Sequence, residues 1–278
     1  MNRSFRTGLF AALFLLIFAG VVWAGPHDLA VIRPGGPTAD ATAQSQVGKL
    51  IKQIAAVAGW PVESANAQYC NTTESGYNYL KKSKPGFALL TPGFYLKYRD
   101  ELKLRPLNKI VLNEGAQIQY YVIVKKGTAA SLADLKGKTL VGAHLAEPEY
   151  VERVVLGKQL KFGKDVTVQT MSGLAALRKL NNGEVGAVLV DSKEYKSLGV
   201  LPFAAQLATL YTSPAIPNTG IVAVGNNATA ADWAALQKGT TNFCQNPAGL
   251  PICQLMEITG FAPVEESVYQ GIFQQYKP

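Results

Sequence analysis

The sequence has little of what usually carries chemistry. Its 278 residues include two histidines, three cysteines and three tryptophans, and 17% of its residues are charged. No G-x-S-x-G elbow, P-loop, or cysteine or histidine pairing at zinc-site spacing occurs. An enzyme reading therefore fares poorly, and no cofactor or resident metal is called for. His27 stands close to the start of the chain, and Gly35-Gly36 lacks the rest of a phosphate-binding motif, so it is read as a turn. A basic helix face with interleaved aromatics is also missing. Lys49, Lys81, Lys97, Lys136, Lys158 and Lys196 are scattered, which sets nucleic acid aside despite a net charge of +8. Such a surface has at most a mild bias toward anions.

The long apolar run is at the start. Arg3 and Arg6 precede a stretch from Leu9 to Val22, and Val22-Trp23-Ala24 places small residues where a signal peptidase needs them. Residues 1–24 are read as a signal peptide cut after Ala24; the run is short for a permanent anchor. Losing Arg3 and Arg6 leaves a charge of 8 − 2 = +6. No cysteine stands at the cut, so a lipid anchor is not expected. In an oxidising compartment Cys244 and Cys253, which bracket QNPAGLPI, are expected to form a local disulfide, with Cys70 left as a quiet buried thiol.

About 250 residues remain, enough for two modest domains. His27 to Arg33 reads as a first strand. Thr38 is the expected cap of a helix to about Ala58 that buries Val47, Leu50, Ile51 and Ile54. Val62 to Ala65 reads as a second strand, Tyr77 to Lys82 as a helix, and Phe87 to Leu90 as a strand running into Thr91-Pro92, a cap followed by a first-turn proline. The alternation repeats later. A helix from Pro148 turns Val151, Val154 and Val155 inward, Val166 to Gln169 is a strand, and Ser172 caps a helix carrying Leu174, Leu177 and Leu180. Val185 to Val190 is a buried strand, and Asp191-Ser192 opens the next helix. Ile221 to Val224 reads as a strand, and Asp232 to Phe243, Leu250 to Thr259 and Ser267 to Gln274 as helices. Such alternation implies α/β units with parallel sheets.

The organising stretch is SLADLKGKTLVGAH, Ser131 to His144: a short capped helix with Asp134 facing Ser131, a turn at Gly137, and a buried strand over Lys138 to Ala143. Preceded by the strand Tyr120 to Lys125, it resembles the signature of type II periplasmic solute-binding proteins. LAVIRPGGPTAD, PGFALLTPGFYLKYRD, AALRKLNNGEVGAVLVDSKEY and LYTSPAIPNTGIVAVG extend the resemblance to the phosphonate-binding-like branch over most of the mature chain. The resemblance implies a two-lobed α/β fold, each lobe a mostly parallel sheet flanked by helices, with a ligand cleft between them. The first lobe would take residues 25–118 and 218–278, and the second 119–217, with crossings near Ala116–Gln119 and Pro217–Gly220. It implies a monomeric periplasmic protein that delivers a small polar molecule to the membrane permease of an ABC importer. The other reading is a sensory module docking on a membrane receptor or kinase.

Ligands in such folds bind beyond the carboxyl ends of strands. The residues expected to touch ligand are Thr38, Thr91, Tyr95, Gln119, Tyr120, His144 and Asp191; Tyr95 and Asp191 match pocket positions of the resembled family. Asp191 can cap the next helix or meet a cationic ligand group. His144 with Glu147 and Glu149 suggests a cation site, against which Glu149 can pair with Arg153 and Glu147 can cap the helix. The chain also departs from the family. Where phosphonate binders offer hydroxyls and backbone N–H groups, it has Ala146-Glu147-Pro148, and Ser172-Gly173-Leu174 stands where a histidine is usual. A carboxylate and a donorless proline repel an oxyanion, so the fold is expected to carry over without the phosphonate.

Overall fold

The structure is a computed structural model that describes residues 25–113 and 115–278. The signal peptide read over residues 1–24 lies outside the described residues. Two five-stranded sheets organise the chain. The first runs in the order Ala67–Cys70, Leu29–Ile32, Phe87–Leu90, Ile221–Val224, Leu104–Pro106; the second in the order Leu207–Thr212, Tyr120–Lys125, Ala187–Asp191, Thr139–Val141, Thr167–Gln169. Each sheet is mixed. In the first, Leu29–Ile32 is parallel to both neighbours, and Ile221–Val224 is antiparallel to both of its own. In the second, Thr139–Val141 is parallel to its neighbours and Tyr120–Lys125 antiparallel to its own. Helices on the faces bury the all-apolar strands LAVI, FALL and IVAV on both sides.

Local chemistry explains most elements. The helix Ala41–Ala58 buries Val47, Leu50, Ile51 and Ile54 on one face and stops at Gly59, whose φ is 73°. Its cap is Asp40, not Thr38: the Asp40 carboxylate accepts from the Ala43 N–H at 2.9 Å, and Thr38 is exposed on the preceding loop. Ser131 and Asp134 close the expected capping box, with the Ser131 N–H donating to Asp134 at 2.8 Å, around a 3-10 turn at Leu132–Leu135. From Pro148 the chain forms Pro148–Tyr150 and a wider π turn, Val151–Val155, with Val151, Val154 and Val155 buried.

Further expectations differ from the structure. Val62–Ser64 is a 3-10 turn after Pro61, and the second strand is Ala67–Cys70, whose Tyr69 and Cys70 point inward. The helix read through Thr259 is Leu250–Met256, because Glu257 adopts a left-handed φ of 55° and releases the chain into the strand Ile258–Pro263. Leu174 is 49% exposed, at the open edge of a helix that buries Leu177 and Leu180. Glu149 pairs with Lys97 at 3.5 Å and accepts from Tyr276 Oη at 2.7 Å, while Arg153 donates to the Tyr276 carbonyl; long-range partners replace the local helix pair.

Cys244 and Cys253 form a disulfide, and Cys70 is a buried free thiol. Among the described residues no helix is long and apolar enough to cross a membrane. Between the sheets the chain passes twice, and the two passages pair as the antiparallel strands Gln117–Ile118 and Ile216–Pro217.

Candidate functional site

The carboxyl ends of strands from both sheets converge on one another. From the first sheet, Leu90 leads into Thr91 and the short helix Pro92–Tyr98. From the second, Val141 leads through Gly142 and Ala143 to His144, and Ala187–Asp191 ends on Asp191 itself. The two sides approach closely. A Cβ added at Gly35 would stand 2.1 Å from the Ala143 carbonyl oxygen, and one at Gly93 would stand 2.7 Å from Glu147 Oε1. At Gly35 the obstacle is backbone and only glycine lets the two chain segments meet; at Gly93 it is the Glu147 side chain, and both approaches leave the site closed in this conformation.

Glu147 holds the two sides together. Thr91 Oγ1 donates to Glu147 Oε1 at 2.8 Å, and the Phe94 N–H donates to the same carboxylate. Burial outweighs these hydrogen bonds and pushes the Glu147 pKa up to about 7. Its side chain therefore faces the opposite lobe and caps nothing in its own helix. Beside it lies a cavity of about 150 Å³ lined by Gly93, Phe94, Lys97, Glu147, Tyr150 and Tyr276. A larger hollow of about 600 Å³ lies away from these strand ends, between the end of the first helix and Lys238, Asn242 and Asn246, and brings no opposing charges together.

The second cluster joins His144, Asp191 and Glu194. His144 Nε2 is 3.3 Å from Asp191 Oδ2 and 3.6 Å from Glu194 Oε2. Burial alone would lower the histidine pKa; the hydrogen-bonding and charged carboxylates of Asp191 and Glu194 overcome it and raise the value to about 9. Burial acts upward on Asp191, but His144 prevails and holds the carboxyl below its ordinary range. The acids also cap the helix Ser192–Lys196 reciprocally: Glu194 N–H donates to Asp191 Oδ1 at 2.8 Å, and Asp191 N–H to Glu194 Oε2 at 3.1 Å. Thus Asp191 is both a cap and a cleft carboxylate. By donor type and spacing, His144, Asp191 and Glu194 could hold a divalent cation, since one ligand atom from each lies within 4.8 Å of the others.

The remaining expected residues are placed as follows. Tyr120 is buried beside the cluster, with its ring edge-on to His144 at 5.1 Å and its hydroxyl 3.5 Å from that of Tyr150. Gln119 donates to the Ser213 carbonyl at 3.1 Å, next to the paired crossing strands. Tyr95 is fully buried against Tyr269 and its hydroxyl meets no hydrogen-bond partner among the described residues; burial pushes its pKa up to about 12. Thr38 is exposed on the loop that follows Gly35. The structure thus brings together Thr91, Tyr120, His144 and Asp191. The cation grouping of His144 with Glu147 and Glu149 does not form, because both glutamates turn to other partners. Glu194 was not singled out in the sequence; its signal is the Asp-x-x-Glu spacing of a capping box.

No curated protein matches this sequence. Solved structures share its fold at low identity. A Xanthomonas citri protein bound to ATP superposes with a TM-score of 0.72 at 13% identity, covering 90% of this chain and 96% of its own. A binding protein component of a phosphonate ABC transporter from Pseudomonas aeruginosa gives 0.68 at 15% identity, covering 89% and 84%. A Prochlorococcus marinus protein in complex with methylphosphonate gives 0.65 at 13%, covering 90% and 97%. The two sheets here share the fold of these proteins. The profile described as "ABC transporter, phosphonate, periplasmic substrate-binding protein" matches residues 37–269, so the chain belongs to that family of periplasmic solute-binding proteins.

Proposed function

We propose that the protein captures a small polar solute carrying a cationic or strongly hydrogen-bond-donating group, and presents its closed form to the membrane permease of an ABC importer. The observation that carries this reading is the set of carboxylates at the convergence, Glu147, Asp191 and Glu194. Asp191 and Glu194 are partly answered by His144, while Glu147 is bonded to the Thr91 hydroxyl and the Phe94 N–H, with His144 and Lys97 acting on it from further off. Acidic groups still outnumber the histidine here, so the cleft favours a positive group and disfavours a phosphonate. Thr91 on one side, and Tyr120, His144 and Asp191 on the other, would contact the solute; Gln119 would line the crossing. Thr38 and Tyr95 are weaker members of the set, one being exposed on its loop and the other enclosed.

The lobes would comprise residues 25–118 with 218–278, and residues 119–217, hinged at the paired strands Gln117–Ile118 and Ile216–Pro217. A solute touching both lobes is fully bound only when they close, and this selects the closed form. The mature chain, cut after Ala24, would act as a free periplasmic monomer with no turnover of its solute and no nucleic-acid partner. Native mass spectrometry of protein taken from its own periplasm tests the reading. A retained cationic or zwitterionic small molecule supports it, and a retained phosphonate sinks it. A membrane pull-down that returned a receptor kinase in place of a permease would favour the sensory alternative.

A further inference from the structure

We infer that His144, Asp191 and Glu194 form a three-ligand site for a divalent transition cation of the zinc type, with a fourth coordination position open toward the cleft. The inference takes its location from the cleft reading above, but its chemistry is independent of the organic solute.

Spacing carries the argument. Zinc binds imidazole nitrogen and carboxylate oxygen at about 2.0–2.2 Å in tetrahedral geometry, so neighbouring donor atoms of one shell lie about 3.3–3.6 Å apart. His144 Nε2 lies 3.3 Å from Asp191 Oδ2 and 3.6 Å from Glu194 Oε2. One Nε2–H can serve only one of these carboxylates well, so an ion pair leaves the second contact unexplained. The ring nitrogen faces two carboxylates at about the edge length of a ligand shell, and the three ligand atoms lie within 4.8 Å of one another.

The surroundings agree. Metal-binding carboxylates are usually oriented by further hydrogen bonds. Here the Glu194 N–H fixes Asp191 at 2.8 Å, and the Asp191 N–H fixes Glu194 at 3.1 Å. The edge-on ring of Tyr120, 5.1 Å away, limits how His144 can turn. The donors come from two strand ends, since His144 follows Thr139–Val141 and Asp191 closes Ala187–Asp191, so helix capping alone does not explain the histidine. Charge closes once metal binding releases the imidazole proton to solvent: a neutral imidazole, two carboxylates and a dication sum to zero. Three protein ligands leave one position for water or for a solute donor, the arrangement of a zinc site that keeps an open place.

The test uses the untagged mature protein after chelator stripping and dialysis. Titration with zinc alone by calorimetry should show one site per chain, and cobalt in its place should give the visible absorption of a tetrahedral shell. His144→Ala, which touches no helix cap, should lower zinc affinity at least tenfold and abolish the cobalt band while circular dichroism stays unchanged. Asp191→Asn, which keeps a capping oxygen, should do the same. Absence of zinc binding by the wild type, or equal binding by His144→Ala, overturns the inference and leaves the solute reading standing. If zinc binds as described but protein from the periplasm carries no cationic or zwitterionic solute, the solute reading fails and the metal site remains.

Discussion

Thr91 Oγ1, at the end of a first-sheet strand, donates across the cleft to Glu147 Oε1 at 2.8 Å. The acceptor in this bond is a carboxylate of the chain itself, so the Thr91 hydroxyl is already engaged and an acidic group stands beside it.

Simple oxyanions should therefore bind poorly. A ligand at 100-fold its dissociation constant stabilises by about 2.7 kcal/mol, which is readily seen as a rise in Tm. Methylphosphonate or phosphate at low millimolar concentration should leave the wild-type melting curve unmoved, and a rise of several degrees would show that Glu147 yields its place.

Glu147 should also make stability depend on pH. Folded, it keeps its proton to about pH 7, against 4.5 for the free side chain. Between those values the folded state binds more protons than the unfolded chain, so stability falls as pH rises from about 4.5 to 7 and stays lowered above. The contribution is at most about 3 kcal/mol. Urea unfolding of wild type and Glu147→Gln across this range should show a steeper fall in the first than in the second.

Asp191→Asn separates capping from binding. The amide can still accept the Glu194 N–H, so the cap is kept, and the loss of folding stability should come from the His144 contact that the carboxylate gives up. Loss of the charge facing a polar ligand group costs about 1.5–3 kcal/mol, roughly ten- to over a hundredfold in affinity for the native solute. Calorimetry showing unchanged affinity would reduce Asp191 to a helix cap.

Peptide mapping without reductant should recover Cys244 linked to Cys253 and an unmodified Cys70. Breaking that short loop should cost about 2–3 kcal/mol in the chain-entropy account. Cys70 is 3% exposed and burial pushes its thiol pKa up, so native alkylation should be slow until the protein unfolds.

Much of the frame was legible because it is local. Phe87–Leu90 and Tyr120–Lys125 were read to the residue, since runs of apolar and β-favouring residues bounded by turn formers have one good solution. The strand Ile258–Pro263 was not, because the preceding helix ends on a left-handed Glu257, a stop that carries no glycine to announce it. Asn108–Leu112, mostly half-buried and with polar residues at its start, gave no clean alternation. At the site, His144 and Asp191 were visible as strand-end residues, whereas the partnership of Glu147 with Thr91 spans 56 positions and follows only from the way the lobes close. Glu149 illustrates the same limit: a reasonable partner four residues away lost to Lys97 and Tyr276.

The strand Ile221–Val224 lies in the interior of the first sheet, between Phe87–Leu90 and Leu104–Pro106. The second sheet, by contrast, is complete once Leu207–Thr212 is in place. A chain entering its compartment amino end first therefore finishes its later sheet before its earlier one. Until residue 224 arrives, the apolar flank of Phe87–Leu90 stays open as an unpaired edge, the kind of surface that invites misassociation. Any delay in the chain between Leu90 and Val224 lengthens the time for which that edge is exposed, whereas delay after Val224 does not.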